Sequence, residues 1–347
     1  VEQHFPEQRF LKGGSPTDNI RYIGVNPEDS RGCYWARNVV LSLYKGEKWF
    51  FQIDSHMLFD QDWDEKMVEA GKKCAEINPK FILGSYPKAF TMKDGKPVIA
   101  YNTTKTYVHV VPEGQEFNEH NYNLHLHGVE MHTDGIVKGI HQAGGCAFAA
   151  GSIVNELPAD PLFYFEGAEQ AFALRAFTHG YDVFHMPDQP IYHMYDRSYR
   201  QTCWQELENL KKPESWEVSE RRANQRFADL VAGKDLGVYG LGKVRTIQEY
   251  QEFSGIDYLN KKIHQKARKP EHIKLVNIAP GPNLGDYPAN LEINNQKINV
   301  ITKIKNPNVV VFSNFLTDDE CELMINGVKD KIKRSKTIDD TTGKSSE

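Results

Sequence analysis

The chain has 347 residues, of which 39% are hydrophobic and 26% charged, with a net charge of −5. That is the composition of a soluble globular chain with room for one large domain or two. It offers no basic run for nucleic acid and no stretch of roughly 18 consecutive apolar residues for a membrane span. The cysteines, Cys33, Cys74, Cys146, Cys203 and Cys321, are odd in number and scattered. They suit a reducing cytoplasmic setting better than a disulfide framework. The chain lacks an initiator Met and closes at Ser345-Ser346-Glu347, so both ends read as cuts.

In chain order, Arg21–Pro27 alternates like a short strand, and Ala36–Glu47 spaces apolar residues along one helix face, with Gly46 at its end. Trp49–Asp54 is apolar almost throughout, the pattern of a strand covered on both faces. A helix follows from Asp62 to Ile77, then a strand from Lys80 that closes at Ser85-Tyr86-Pro87. The alternation predicts a layered α/β fold, with ligands bound at the carboxyl ends of its strands. Beyond Met92 come strands around Lys96–Thr104, Lys105–Gly114 and Tyr122–His132, and a small, glycine-rich run from Ala143 to Leu157. Glu166–Asp182 reads as a helix with a stop at Gly180, and Gln189–Arg197 as extended. The chain is charged and mostly helical from Gln201 to Asn260, then rich in Pro, Asn and Gly to Lys305, with some strand character. From Asn306 it starts afresh with a strand and a helix, which Thr317 and Glu320 would cap as a box. The predicted division is residues 1–262, a linker 263–305, and a partial second domain 306–347.

Three places carry chemistry. Asp54 and His56 end an apolar strand two positions apart, so strand alternation puts an oxygen and a nitrogen donor on one face. That is half of a site for Mn²⁺ or Mg²⁺; the alternative is an aspartate capping a loop beside a surface histidine. Glu166 and Glu169 stand at a helix start, where they could meet sugar hydroxyls or simply complement the helix dipole. His193 lies in an apolar extended run, as a buried structural histidine or as a third metal ligand.

Taken together, Asp29–Asn38 (DSRGCYWARN), Gln52–Phe59 (QIDSHMLF), Ala143–Ser152 (AGGCAFAAGS), Tyr164–Asp182, Ile191–Arg197 and Leu236–Asp257 resemble the cytoplasmic hydroxyproline N-acetylglucosaminyltransferase family. The resemblance covers roughly residues 15 to 262. It implies an α/β fold of the GT-A, Rossmann-like type. It also implies UDP-GlcNAc as donor, an acceptor protein carrying a hydroxyl (hydroxyproline), and retention of configuration. Residue by residue, it makes Asp54, His56 and His193 metal ligands. Arg31, Arg37, Asp54, Gly144 and Gly145 fall to the nucleotide-sugar, and Glu166 and Glu169 to the sugar or acceptor hydroxyl. That family opens with a uridine-holding strand before the point where this chain begins, and its loss would expose a sheet edge and weaken nucleotide binding.

The last 42 or so residues instead resemble the start of a prolyl 4-hydroxylase, whose Fe²⁺ ligands and 2-oxoglutarate site would come later in a complete domain. Two other functions compete. One is a module that binds a nucleotide-sugar without turnover. The other is a copper redox protein, suggested by Asn123, His125 and His127 sharing a strand face with His132 and His141 nearby.

Overall fold

A computed structural model of the chain describes residues 20–26, 29–100, 105–131, 133, 135–196, 198, 215–269, 290–293, 296–305, 308–330, 332, 337–338 and 345–346. Two units divide it, Val1–Ile278 and Ala279–Glu347.

The strands of the first unit are β1 (Trp49–Ile53), β2 (Met57–Phe59), β3 (Phe81–Leu83), β4 (Lys88–Lys93), β5 (Lys96–Ile99), β6 (Thr106–Val110), β7 (His127–Met131), β8 (Val137–Gly139), β9 (Cys146–Ala150), β10 (Asp182–His185) and β11 (Ile191–His193). A short pair, β12 (Ile256–Asp257) and β13 (Lys262–Ile263), closes it. Its helices are α1 (Cys33–Leu41), α2 (Trp63–Ile77), α3 (Ile153–Glu156), α4 (Ala168–Thr178), α5 (Trp216–Val231) and α6 (Ile247–Ser254). The main sheet runs β1-β9-β3-β10-β8, with β3 and β10 parallel and the other neighbours antiparallel. A second sheet runs β2-β11-β4-β5, and β6 pairs with β7.

Side-chain alternation in β9 divides the core. Ala147 and Ala149 face one cluster with Ile153, Leu157 and Ala176, while Phe148 faces another with Met67, Cys74, Phe81 and Phe184. Helix α2 covers the second face through Met67, Ala70, Gly71 and Cys74, the i, i+3, i+4, i+7 stripe of an amphipathic helix. Gly71 permits the close approach, since a Cβ there would meet the Phe148 ring at 2.6 Å. Helix α4 is buried nearly all round and packs with Phe227, Leu230 and Tyr258 in the largest cluster. The result is a mixed α/β fold with helices on both faces of the sheet.

β1 stands at an end of the main sheet, and its residues are half-buried apart from exposed Ile53. Both faces are covered as the sequence predicts: Trp49 and Phe51 pack on the α2 side and Phe50 on the other. Two local predictions differ. Residues 20–26 form no regular strand, with Pro27 outside the described residues. Helix α1 begins at Cys33 and ends at Leu41, before Gly46, because the Gly32 N-cap sets the start.

The second unit holds an antiparallel sheet of β14 (Asn290–Ile293), β15 (Gln296–Lys305) and β16 (Asn308–Ser313), followed by α7 (Asp318–Val328). Thr317 and Glu320 form the predicted capping box. β15 crosses the predicted linker up to Lys305 and pairs with β16, so the stretch expected to connect is partly sheet. At its other end, the expected linker supplies Ala267 and Arg268 to the first unit, both buried.

Candidate metal centre

The main chain leaves β1 at Ile53, bends at Ser55 and His56, and enters β2. β2 runs antiparallel to β11 with His193 opposite Met57, and the Met194 N–H donates to the His56 carbonyl at 3.1 Å. Strand pairing therefore sets His56 beside His193, their ring centroids 4.4 Å apart and the planes at 65°. His193 Nε2 lies 3.3 Å from Asp54 Oδ2. Ligand atoms of Asp54, His56 and His193 all fall within 4.8 Å of one another, and among the described residues no other such group of three is found. The reason is not the one the sequence suggests. Asp54 and His56 lie beyond the last residue of β1, so a bend between two strands, rather than alternation along one, turns them together.

The donor set fits a divalent ion. Two donors on one octahedral ion stand roughly 3 Å apart when each bond is about 2.1 Å, close to the 3.3 Å between Oδ2 and Nε2. His193 is 6% exposed, and its Nδ1 is buried with no hydrogen-bond partner. Burial works to raise the Asp54 pKa. The hydrogen bond from His193 and the nearby charges of Arg37, His193 and His56 outweigh it and hold the carboxyl below its ordinary range. Arg37 Nη2 stands 3.7 Å from Asp54 Oδ1, and its guanidinium covers the Tyr34 ring at 4.8 Å.

A glycine turn presses on this cluster. The Cys146 N–H closes it on Ala143 at 3.1 Å, and Gln52 Nε2 donates to the Gly144 carbonyl at 2.6 Å. The Gly144 N–H donates to Glu169 Oε1 at 2.5 Å. A Cβ on Gly145 would sit 2.5 Å from Asp54 Oδ2, and one on Gly144 would sit 2.5 Å from Glu169 Oε1 and 2.8 Å from Arg37 Nη1. Asp54, Arg37, Gly144, Gly145 and Glu169 thus form one contiguous surface with the histidines.

Glu166 is elsewhere. Gly167, in the left-handed region at φ 70°, caps α4, so Glu166 lies outside the helix and shares no helix face with Glu169. Its carboxylate accepts from Asn123 Nδ2 at 3.3 Å, and that amide also donates to Asn224 at 3.0 Å. Arg31 is exposed with its guanidinium 6.0 Å from the Trp35 ring centre. The proposed copper strand does not form: β7 starts only at His127, His125 and His127 are exposed, and His132 lies outside the described residues.

Gln52 and Tyr86 lie against the site but are absent from the sequence-based set, and His141 enters that set only among the copper histidines. Gln52 was within reach, since it precedes Asp54 by two as Asp54 precedes His56. Tyr86 and His141 carry no local signal, because only the tertiary fold brings them to Glu169.

Residues 8–260 match the glycosyltransferase (GlcNAc) family. The chain belongs to that family. Every predicted site residue, from Arg31 to His193, falls in the matched span of this GlcNAc glycosyltransferase, and the second unit lies outside it. A comparison with curated proteins finds no match. Among solved structures, the chain is similar to GalNAc-T7 crystallised with UDP, GalNAc and Mn²⁺, at 11% identity and a TM-score of 0.43. The likeness covers 73% of this chain and 46% of that one, so this chain spans less than half of that protein's length. No helix among the described residues is long and apolar enough to cross a membrane.

Proposed function

We propose that the first unit is a GT-A-type, metal-dependent transferase. It would move N-acetylglucosamine from UDP-GlcNAc to a protein hydroxyl, that of hydroxyproline, with retention, in the cytoplasm. The convergence of Asp54, His56 and His193 carries this reading. One carboxylate and two imidazoles would hold Mn²⁺ or Mg²⁺ and leave positions for diphosphate oxygens. When bound, the ion supplies Lewis-acid stabilisation of the departing UDP.

The chain's own residues do the rest. Arg37, already drawn to Asp54, adds a fixed positive charge beside the diphosphate. Gly144 and Gly145 would border the nucleotide-sugar and, presenting no side chain, let Glu169, Arg37 and Asp54 close onto the turn. Glu169 holds the Gly144 N–H with one oxygen and turns the carboxylate toward the same surface. Glu166, engaged with Asn123, is better placed for an acceptor than for the donor. Arg31, exposed on α1's approach, would reach the nucleotide only from outside. The second unit is proposed to be prolyl 4-hydroxylase-like, a fold whose activity uses Fe²⁺ and 2-oxoglutarate.

The test is a UDP-sugar panel with Mn²⁺, Mg²⁺ or EDTA and hydroxyproline peptides. Mn²⁺-dependent release of UDP with transfer of GlcNAc to hydroxyproline is expected. Binding of UDP-GlcNAc without release would make the chain a non-catalytic module instead.

A further inference from the structure

The site surface is supported from behind by a group that no part of the reaction touches. His109, on β6, is 0% exposed. Both of its ring nitrogens are used. Nε2 accepts from the Tyr86 backbone N–H at 3.2 Å, and Nδ1 donates to the His141 carbonyl at 2.9 Å. This fixes a single neutral tautomer, with the proton on Nδ1. Burial, with the neighbouring His185 and His141 rings adding to it, keeps the imidazole neutral far below the usual histidine range. The Tyr86 and His141 rings also pack on His109, with centroids 4.3 and 5.1 Å away.

Those two residues are the ones that reach Glu169. Tyr86 faces the Glu169 carboxylate closely enough that burial, then the Glu169 charge, keeps its phenol protonated. His141 Nε2 stands 3.4 Å from Glu169 Oε2. Glu169 Oε1 in turn takes the Gly144 N–H, and Gly145 abuts Asp54. Hydrogen bonds join His109 to the Tyr86 backbone and the His141 carbonyl, and Glu169 to Gly144; His141 meets Glu169 at 3.4 Å, and Gly145 lies too close to Asp54 for a methyl group, so a continuous path runs from His109 to the site.

We propose that His109 is a positioning residue, setting Tyr86 and His141, and through them Glu169, the Gly144–Gly145 turn and the Asp54 ligand. This rests on the reading of Asp54, His56 and His193 as the metal site of a transferase. Partners behind metal ligands typically change affinity or activity by about 10–100-fold when removed. His109→Phe keeps the ring and deletes both hydrogen bonds.

The experiment titrates Mn²⁺ alone into the full chain, read by electron paramagnetic resonance, beside UDP-GlcNAc turnover and the thermal midpoint. His109→Phe is expected to weaken Mn²⁺ by about 10-fold and to lower kcat while the fold is kept. Tyr86→Phe should do part of the same, and the double variant should lose less than the product of the two, since both act along one path. His109→Asn, whose amide can still donate to His141, should fall between wild type and His109→Phe, and it carries the test should the phenylalanine variant not fold. A folded His109→Phe with wild-type Mn²⁺ affinity and kcat overturns the positioning role and leaves the transferase reading standing. Effects that multiply cleanly with those of Tyr86→Phe also overturn it. A wild-type chain that binds no Mn²⁺ sinks the site reading and the proposal with it.

Discussion

His193 occupies a strand position between Met57 on one neighbour and Ala89 on the other, so its ring serves packing as well as any ligand role. Its replacement should therefore register twice. His193→Ala is expected to lower Mn²⁺ affinity by about 10–100-fold or more. It should also lower metal-free stability by about 1–3 kcal/mol, because the 4.1 Å contact with the Tyr195 ring and the bond to Asp54 go with it. Calorimetry with and without Mn²⁺ separates the two losses; unchanged affinity would end the metal reading. A second residue sets a pH signature. Burial, then the Glu166 charge, pushes Glu220 from 4.5 up to about 7. The folded chain thus keeps a proton that the unfolded chain releases, so this group's contribution is full below about pH 4.5 and is lost as pH rises through about 7. Glu220→Gln should flatten that fall and stabilise the protein more at pH 8 than at pH 5 in urea melts. An equal shift at both pH values would show that Glu220 ionises normally. The three residues of the candidate metal centre were named from the sequence, Asp54 and His56 at the end of an apolar run and His193 through the family resemblance. The raised Glu220 was not, since burial by the fold and then the charge of Glu166, far away in the chain, produce it.

At the scale of elements, sheet and helix ends tie the site to the core. Asp182, at the start of β10, is 6% exposed and receives Lys138 Nζ at 2.7 Å, Arg245 Nη1 at 2.7 Å and Asn78 Nδ2 at 3.1 Å. Burial would raise its pKa, but the bonds from Lys138, Asn78 and Arg245 hold it down. Asp182→Ala strands two cations and should cost about 3 kcal/mol at pH 7; chemical denaturation measures it, and a cost below about 1 kcal/mol would mean that water replaces the carboxylate. The glycine turn gives the converse case, a change that damages function and spares the fold. Gly145→Ala would set a methyl 2.5 Å from Asp54 Oδ2, so Mn²⁺ affinity should drop while the far-ultraviolet circular dichroism stays as in wild type. Helix α2 was readable because its stripe recurs at i, i+3, i+4 and i+7 and meets one face of the sheet. Helix α1 was displaced in the reading, because its apolar residues continue past Leu41 while the left-handed Gly32 decides where it starts. Glu166 was grouped with Glu169 for a similar reason: spacing alone does not reveal that Gly167 breaks the turn between them.

At the scale of the molecule, the division after Ile278 falls inside the run that composition marks as a connector, but that run is not all connector. The polar, proline-rich run before Lys305 looks like a connector, yet Arg268 is anchored in the first unit, donating to Pro112, Gln115 and Glu116, and Gln296–Lys305 is a strand of the second. Among its described residues the second unit leaves Leu323 at 75%, Met324 at 59% and Ile325 at 54% exposure on α7, too little burial for a robust core. Limited proteolysis should therefore cut C-terminal to Lys269, degrade the second unit first, and leave a fragment that still binds Mn²⁺. Early cleavage between Lys261 and Lys269 would contradict the anchoring by Arg268. The pairing of β2 with β11 has one more consequence. During synthesis, Asp54 and His56 leave the ribosome long before His193 does, and the register that joins them waits for β11. A stalled nascent chain shorter than that carries two donors and no third. Metal capture would thus act as a receipt for a fully translated sheet, and arrest peptides placed on either side of β11 should show manganese-dependent release only downstream.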